Sequence, residues 1–160
     1  MSRLPEYERA RRVLWYVSHA TELPTHEAIR RELARGHRIV LIPYVHGRHL
    51  RLWRLEHLEE LRPGAFGILE PPSELRGLPE REAEPEHVDF VVVPGVAFDL
   101  QGRRLGSGQG FYDRLLARLR PDCARAGLCY DAQVVAQLPA EPHDQSVDLI
   151  VTERRVRRPR

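Results

Sequence analysis

The sequence predicts an α/β fold: a three-layer Rossmann-like sheet, mostly parallel, with helices on both faces. Three observations point there. Short apolar runs rich in β-branched residues recur along the chain, at Val13–Val17, Val88–Val93 and Val147–Thr152. Segments with helical periodicity stand between them, and that alternation puts helices over the faces of a sheet. A glycine-rich loop lies between a strand and a helix, where open α/β sheets bind ligands. The 160 residues fit a single domain, residues 1–160, with a short N-terminal segment and a basic C-terminal tail from about 154.

Val13–Val17 is the first strand. Thr25 is placed to cap a helix whose inner stripe is Ala28, Ile29 and Leu33, with Glu27 on the favourable end of its dipole. Gly36 ends that helix, and Arg38–Ile42 forms the next strand, stopped by Pro43. This β–α–β order favours parallel neighbours. Leu50–Leu55 alternates as an edge strand or hairpin arm, with Trp53 out of phase, and Leu58–Leu61 suits a short helix. Leu69–His87, rich in proline and glutamate, reads as an exposed connection. Val88–Val93 is a buried strand that Val96–Phe98 continues after Pro94-Gly95. Phe111, Leu115, Leu116 and Leu119 mark a helix face ended by Pro121, and Ala126–Tyr130 and Val147–Thr152 are the last strands. No internal repeat is present.

Composition excludes several chemistries. All 25 basic residues are arginine, so no Walker A lysine, Schiff-base lysine or lysine general base exists. The net charge of +2 does not describe a general polyanion binder. Arg154, Arg155, Arg157, Arg158 and Arg160 cluster at the end, and such a tail reads as a frayed, solvated end, with nucleic-acid contact as the alternative. Cys123 and Cys129 do not form a CxxC pair, which leaves reduced, partly buried thiols. The charged N-terminus has no apolar run of signal or membrane length, so the cytoplasm is the expected compartment, and a monomer without membrane or nucleic-acid partners is expected.

The chemistry concentrates in Arg104-Leu105-Gly106-Ser107-Gly108-Gln109-Gly110-Phe111-Tyr112-Asp113. Alternating glycines let a backbone turn tightly and approach a ligand closely. The helix that follows adds free N–H groups, so the loop suits phosphate, with Arg104 as a fixed cation. The spacing is not GxGxxG, which sets a dinucleotide site aside. Asp113 either serves the helix dipole or holds Mg²⁺. Asp99 either does the same or caps the turn at Gln101-Gly102. Tyr112 either packs in the core or orients a substrate group. Glu22, at the end of the first strand, is a surface carboxylate or a ligand contact. His143-Asp144 is an acid–base pair or a capped loop. No HExxH motif and no Ser–His–Asp constellation can be read.

Pro94–Asp99 followed by Gly102–Asp113 resembles the signature of the 5-formyltetrahydrofolate cyclo-ligase (methenyltetrahydrofolate synthetase) family. Phe66–Pro71, Glu22–Thr25, Gln133, Leu138-Pro139, His143-Asp144 and Val151–Glu153 resemble further family segments, so the likeness spans roughly residues 13–153. The resemblance implies cyclisation of 5-formyltetrahydrofolate to 5,10-methenyltetrahydrofolate, with ATP and Mg²⁺ used and ADP and phosphate released. It implies that Arg104 neutralises phosphate charge, that Gly106, Ser107, Gly108, Gln109 and Gly110 cradle the phosphates, and that Asp113 holds Mg²⁺. Tyr112 would lie against the formyl group or the pterin side, Glu22 would bind the pterin edge, and Phe66 would pack on folate. The sequence departs from the family at its start. Members commonly open with a longer basic helix that reaches the ATP phosphates, and Gln109 stands where a basic or small residue is common. Arg3, Arg9, Arg11 or Arg12 would substitute for those cations, or form a solvated helix face. The alternatives are a folate- or nucleotide-binding relative without turnover, and a nucleic-acid-binding protein using the arginine tail.

Overall fold

The computed structural model describes residues 4–139 and 141–159. Arg3 and Arg160 therefore lie outside the described residues. After a one-and-a-half-turn helix α1 (Pro5–Arg9), strand β1 (Arg12–Leu14) leads through a loop to helix α2 (His26–Arg35), strand β2 (Ile39–His46) and strand β3 (His49–Leu55). Short strands β4 (Arg62–Pro63), β5 (Leu69–Glu70) and β6 (Glu82–Ala83) follow. Then come β7 (Phe90–Val93), β8 (Ala97–Asp99), β9 (Arg104–Leu105), helix α3 (Phe111–Leu116), β10 (Ala124–Leu128), β11 (Val134–Val135), β12 (Leu149–Val151) and β13 (Val156–Arg157).

The main sheet has eight strands among the described residues, in the order β13-β12-β10-β7-β1-β2-β3-β6. Its centre, β12-β10-β7-β1-β2, is parallel, and β13, β3 and β6 add antiparallel edges. Side chains alternate between the faces, as a period of two requires. Val13, Val40, Phe90, Val92 and Leu149 enter one core with Tyr7 of α1 and Ile29 of α2. Leu14, Leu41, Val91, Val93 and Ile150 enter the other with Leu115 and Leu116 of α3. Helices therefore cover both faces, the expected α/β arrangement. Each fully buried leucine, isoleucine or valine contributes about 1.5–3 kcal/mol of burial free energy.

The chain runs outward from β1 to β2, β3 and β6. It then returns to the other side of β1 as β7 and continues outward through β10. The sheet thus reverses direction of build between β1 and β7, and the crevice beyond the carboxyl ends of these two strands is a topological switch point.

Several local expectations are corrected. Thr25 stands at the N-cap position of α2 but does not cap it: its hydroxyl donates to Tyr16 O (2.7 Å) and accepts from Ser18 N–H (3.0 Å), tying the loop after β1 to the helix. Pro43 does not stop β2. The register with β1 ends at Leu41, so beyond that point β3 is the strand that β2 pairs with among the described residues, and β2 tolerates an imino acid opposite Leu52. Ala97–Asp99 does not continue β7. It joins a separate three-stranded sheet, β11-β8-β9. Helix α3 stops at Leu116, and tighter turns carry the chain to Leu119 ahead of Pro121. The tail is not frayed: β13 pairs with β12, Arg155 makes two hydrogen bonds of 3.0 Å to Asp131, and Arg158 reaches Glu6 at 2.7 Å. The Leu69–His87 connection is only partly exposed, since it adds β6 to the sheet edge and buries Glu70.

Candidate active site

A cavity of about 810 Å³ opens at the switch point. Glu22, Phe66 and the whole segment Arg104–Asp113 line it, so the residues to which the family resemblance gives a ligand contact meet in one place. The loops after β1 and β7 form its floor, through Tyr16, Val17, Pro94 and Gly95.

The glycine loop follows β9 and enters α3 through two left-handed residues, Gly108 (φ +88°) and Gly110 (φ +64°). L-side chains avoid that region, so both positions need glycine. Gly106 meets a different demand. A Cβ there would stand 2.5 Å from Arg104 Nη1, so the bare backbone lets the guanidinium lie against it. Ser107, Gly108 and Gln109 are exposed to the cavity. Arg114 braces the loop from behind, donating to Gln109 O (2.9 Å) and Arg48 O (2.8 Å).

Arg104 is held rather than free. Its side chain is 5% exposed, Nη2 donates to Asp113 Oδ2 at 3.0 Å, and Nη1 faces Pro94 O at 3.5 Å. Asp113 Oδ1 accepts from the Gln145 backbone N–H at 3.2 Å. A carboxylate has about four acceptor sites, so Asp113 keeps capacity for a further ligand. Arg104 Nε and the Tyr112 hydroxyl are buried without hydrogen-bond partners among the described residues. Burial pushes the Tyr112 phenol well above its usual range, with the Glu22 charge adding and Arg104 opposing, so the hydroxyl stays protonated. Glu22 accepts the His19 N–H at 2.8 Å, and burial raises its carboxyl above the usual carboxylate value.

Other candidates resolve differently. Asp99 is fully buried, with Oδ1 accepting from Gln101 and Arg103 N–H (2.9 and 3.0 Å) and Oδ2 from Leu138 N–H (2.9 Å). It fixes the β8–β9 turn, and the capping reading holds. Asp144 caps a turn at the cavity mouth by accepting from Glu141 N–H (2.8 Å), while His143 is largely exposed with Nε2 3.7 Å from Asp144 Oδ1. Arg9 and Arg11 do not reach the cavity. They lie at the opposite end of the sheet, in a small polar cleft with Glu6, Asp89 and Arg120, because β1 runs between them and the switch point. Arg12, the first residue of β1, shares that end. Arg9, Arg11 and Arg12 therefore do not reach the glycine loop.

Sequence reasoning passed over Tyr44 and gave Glu70 no role of its own within Phe66–Pro71, yet both line the cavity. Gln133 also lines it, and its Nε2 donates to Gly95 O and Val96 O (3.3 and 2.9 Å), fixing the turn after β7. Glu70 carries no local signal, being one glutamate in an acidic, proline-rich stretch. Among the described residues no three His, Cys, Asp or Glu side chains cluster as a metal site, and no helix is long and apolar enough to cross a membrane.

Comparison with known proteins agrees over the whole fold. The family model described as the 5-formyltetrahydrofolate cyclo-ligase family matches residues 1–153. The probable 5-formyltetrahydrofolate cyclo-ligase of Schizosaccharomyces pombe is 30% identical, over 96% of this chain and 80% of that one. The 5-formyltetrahydrofolate cyclo-ligase of Escherichia coli K12 is 32% identical, over 98% of this chain and 85% of that one. Among solved structures, the 5,10-methenyltetrahydrofolate synthetase of Aquifex aeolicus superposes with a TM-score of 0.83 at 39% identity, covering 99% of this chain and 77% of that one. With its signature loop and switch-point cavity assembled as described, the chain belongs to the 5-formyltetrahydrofolate cyclo-ligase family.

Proposed function

We propose that the protein closes 5-formyltetrahydrofolate to 5,10-methenyltetrahydrofolate in a reaction driven by ATP with Mg²⁺, releasing ADP and phosphate. The observation that carries this reading is the convergence of Glu22, Phe66, Arg104, Tyr112, Asp113 and the glycine loop on one cavity of about 810 Å³.

The formyl oxygen is a poor leaving group, and ATP supplies the phosphoryl group that turns it into phosphate. N10 of the folate then attacks the formyl carbon and loses its proton to water, and the C–O bond to the phosphorylated oxygen breaks, releasing phosphate and leaving the closed methenyl ring. The chain needs no nucleophile of its own for this sequence, so its contribution is positioning and charge stabilisation.

The residues fit that task. Backbone at Gly106, Gly108 and Gly110 approaches the phosphates without steric cost. The Arg104 guanidinium, pre-placed by Asp113 and with Nε unpartnered, neutralises charge on the transferred group. Because α3 has only six residues, its dipole is a minor contributor and Arg104 with the loop backbone carries the anion. Asp113 would hold Mg²⁺ directly or through water. One carboxylate is within the usual complement, since Mg²⁺ takes most of its ligands from phosphate and water. The protonated Tyr112 hydroxyl, buried and unpaired, is a donor for the formyl side of the folate. The Glu22 carboxylate accepts paired N–H bonds from the pterin edge, and Phe66 packs against the folate at the mouth.

Turnover tests the reading. Purified protein with 5-formyltetrahydrofolate, ATP and Mg²⁺ should form the methenyl product, followed by its near-ultraviolet absorbance, with one ADP for each product. Folded protein that binds folate but forms neither product would instead favour a binding relative.

A further inference from the structure

We infer that Glu70 is a positioning residue for folate: it holds the hairpin tip that presents Phe66 to the cavity. This inference rests on the folate reading of the site.

Strands β4 and β5 form a small antiparallel hairpin whose tip spans residues 64–68. Phe66 sits on that tip and is 66% exposed, with φ +57°. Few phenylalanines adopt this backbone region, and here the ring gains little burial in return. Gly67 follows at φ +75°, where an added Cβ would lie 3.5 Å from the His19 ring. A strained aromatic that covers no core at the mouth of a binding cavity is arranged for a ligand rather than for folding.

Something must hold the tip in that shape, and the contacts converge on Glu70. Its side chain is 4% exposed. Oε1 accepts the Val45 N–H at 2.8 Å, from the stretch of β2 beyond its pairing with β1. Oε2 accepts the Ala65 N–H at 3.2 Å, on the hairpin tip, and faces Arg76 Nη2 at 3.1 Å. Arg76 is itself fixed, donating Nε to Pro71 O at 2.9 Å and lying over the Tyr44 ring at 5.0 Å. A Cβ at Gly64 would overlap the Glu70 carboxylate, so glycine there lets the tip close over it. One carboxylate therefore ties the Phe66 tip to the main sheet and to the linker.

The test is 5-formyltetrahydrofolate binding by calorimetry without ATP, on wild type, Glu70→Gln, Phe66→Ala and the double variant. Glutamine presents an N–H toward Ala65 or Val45 and loses the ion pair with Arg76, so the tip is released. Each single variant should bind folate roughly tenfold more weakly, about the worth of one aromatic contact. The double variant should stay within about twofold of Phe66→Ala, because Glu70 acts through that ring. In turnover, Glu70→Gln should raise KM for folate and leave kcat and KM for ATP near wild type. Multiplying losses in the double variant, or wild-type affinity in folded Glu70→Gln, would overturn the inference. Should Glu70→Gln fail to fold, Ala65→Pro decides. It removes the tip donor while Glu70 keeps Val45 and Arg76, and it should show the same weakening and the same dependence on Phe66; unchanged affinity in it would overturn the inference. Wild type that binds folate but does not turn over would sink ring closure alone, with the variants still judging Glu70. Wild type that does not bind folate would sink both.

Discussion

Asp113→Asn should cost stability as well as activity, because Asp113 is the counter-charge of a buried arginine. Arg104 is 5% exposed and Asp113 18%, and they meet at 3.0 Å. Removing one partner of a buried pair leaves the other uncompensated, at roughly 3–5 kcal/mol. Asparagine has one acceptor oxygen: set on Gln145 N–H, it turns the amide N–H₂ toward the guanidinium, and set on the guanidinium, it leaves Gln145 N–H without its acceptor. The lower end, about 3 kcal/mol, therefore applies. For a chain of this size that corresponds to a Tm lower by roughly 6–12 °C. Arg104→Met removes the cation and should cost less, since Asp113 then faces a cavity that admits water. Thermal and urea unfolding of both variants and their combination form a double-mutant cycle. The double variant should be no less stable than Asp113→Asn, with a coupling of about 2 kcal/mol. Losses that add to within about 0.5 kcal/mol would show that the ion pair does not hold Arg104, and the pre-placement argument would fail.

Two other perturbations separate the halves of the site. Gly106→Ala pushes a methyl group into the space of Arg104 Nη1. It should raise KM for ATP by roughly tenfold or more, about one lost charge-assisted contact, while folate binding stays near wild type; equal losses for both ligands would contradict that division. Glu22 has a carboxyl raised above 4.5 by burial. In the free protein the folded state holds this proton more tightly than the unfolded state. Stability therefore falls as pH rises from about that value through the raised pKa, and the Glu22→Gln variant should lack this loss. Folate affinity should run the other way, rising with pH through the same window as the carboxylate forms. An acid limb that persists in Glu22→Gln would assign it to another group.

Much of the site was legible because glycine spacing and strand ends are local signals. Arg104–Asp113 announces a tight loop between strand and helix, and Glu22 follows a β-branched run, so both were placed at carboxyl ends of strands. What stayed hidden depends on partners distant in sequence. Pro43 looks like a strand stop until β3 is known to be the neighbour that tolerates it. Asp99 reads as a ligand or a cap with equal right, and only Leu138 N–H, arriving from a remote loop, settles it as structural. The arginines before β1 have the charge expected of a phosphate site but the wrong end of the sheet, which a topology decides and a composition does not. The tail seemed frayed because its partners, Asp131 and Glu6, are far away in the chain. Glu70 is silent for the same reason: its three partners come from β2, the hairpin tip and the linker.

The central claim is that the formyl oxygen leaves as phosphate. Turnover of 5-formyltetrahydrofolate carrying ¹⁸O in the formyl group tests it most directly, with the released inorganic phosphate read by mass spectrometry. The account predicts one ¹⁸O in each phosphate, with ADP formed in equal amount. Methenyl product accompanied by unlabelled phosphate, with the label in water, would mean that the oxygen is expelled without phosphorylation and would contradict the roles given to Arg104 and the glycine loop.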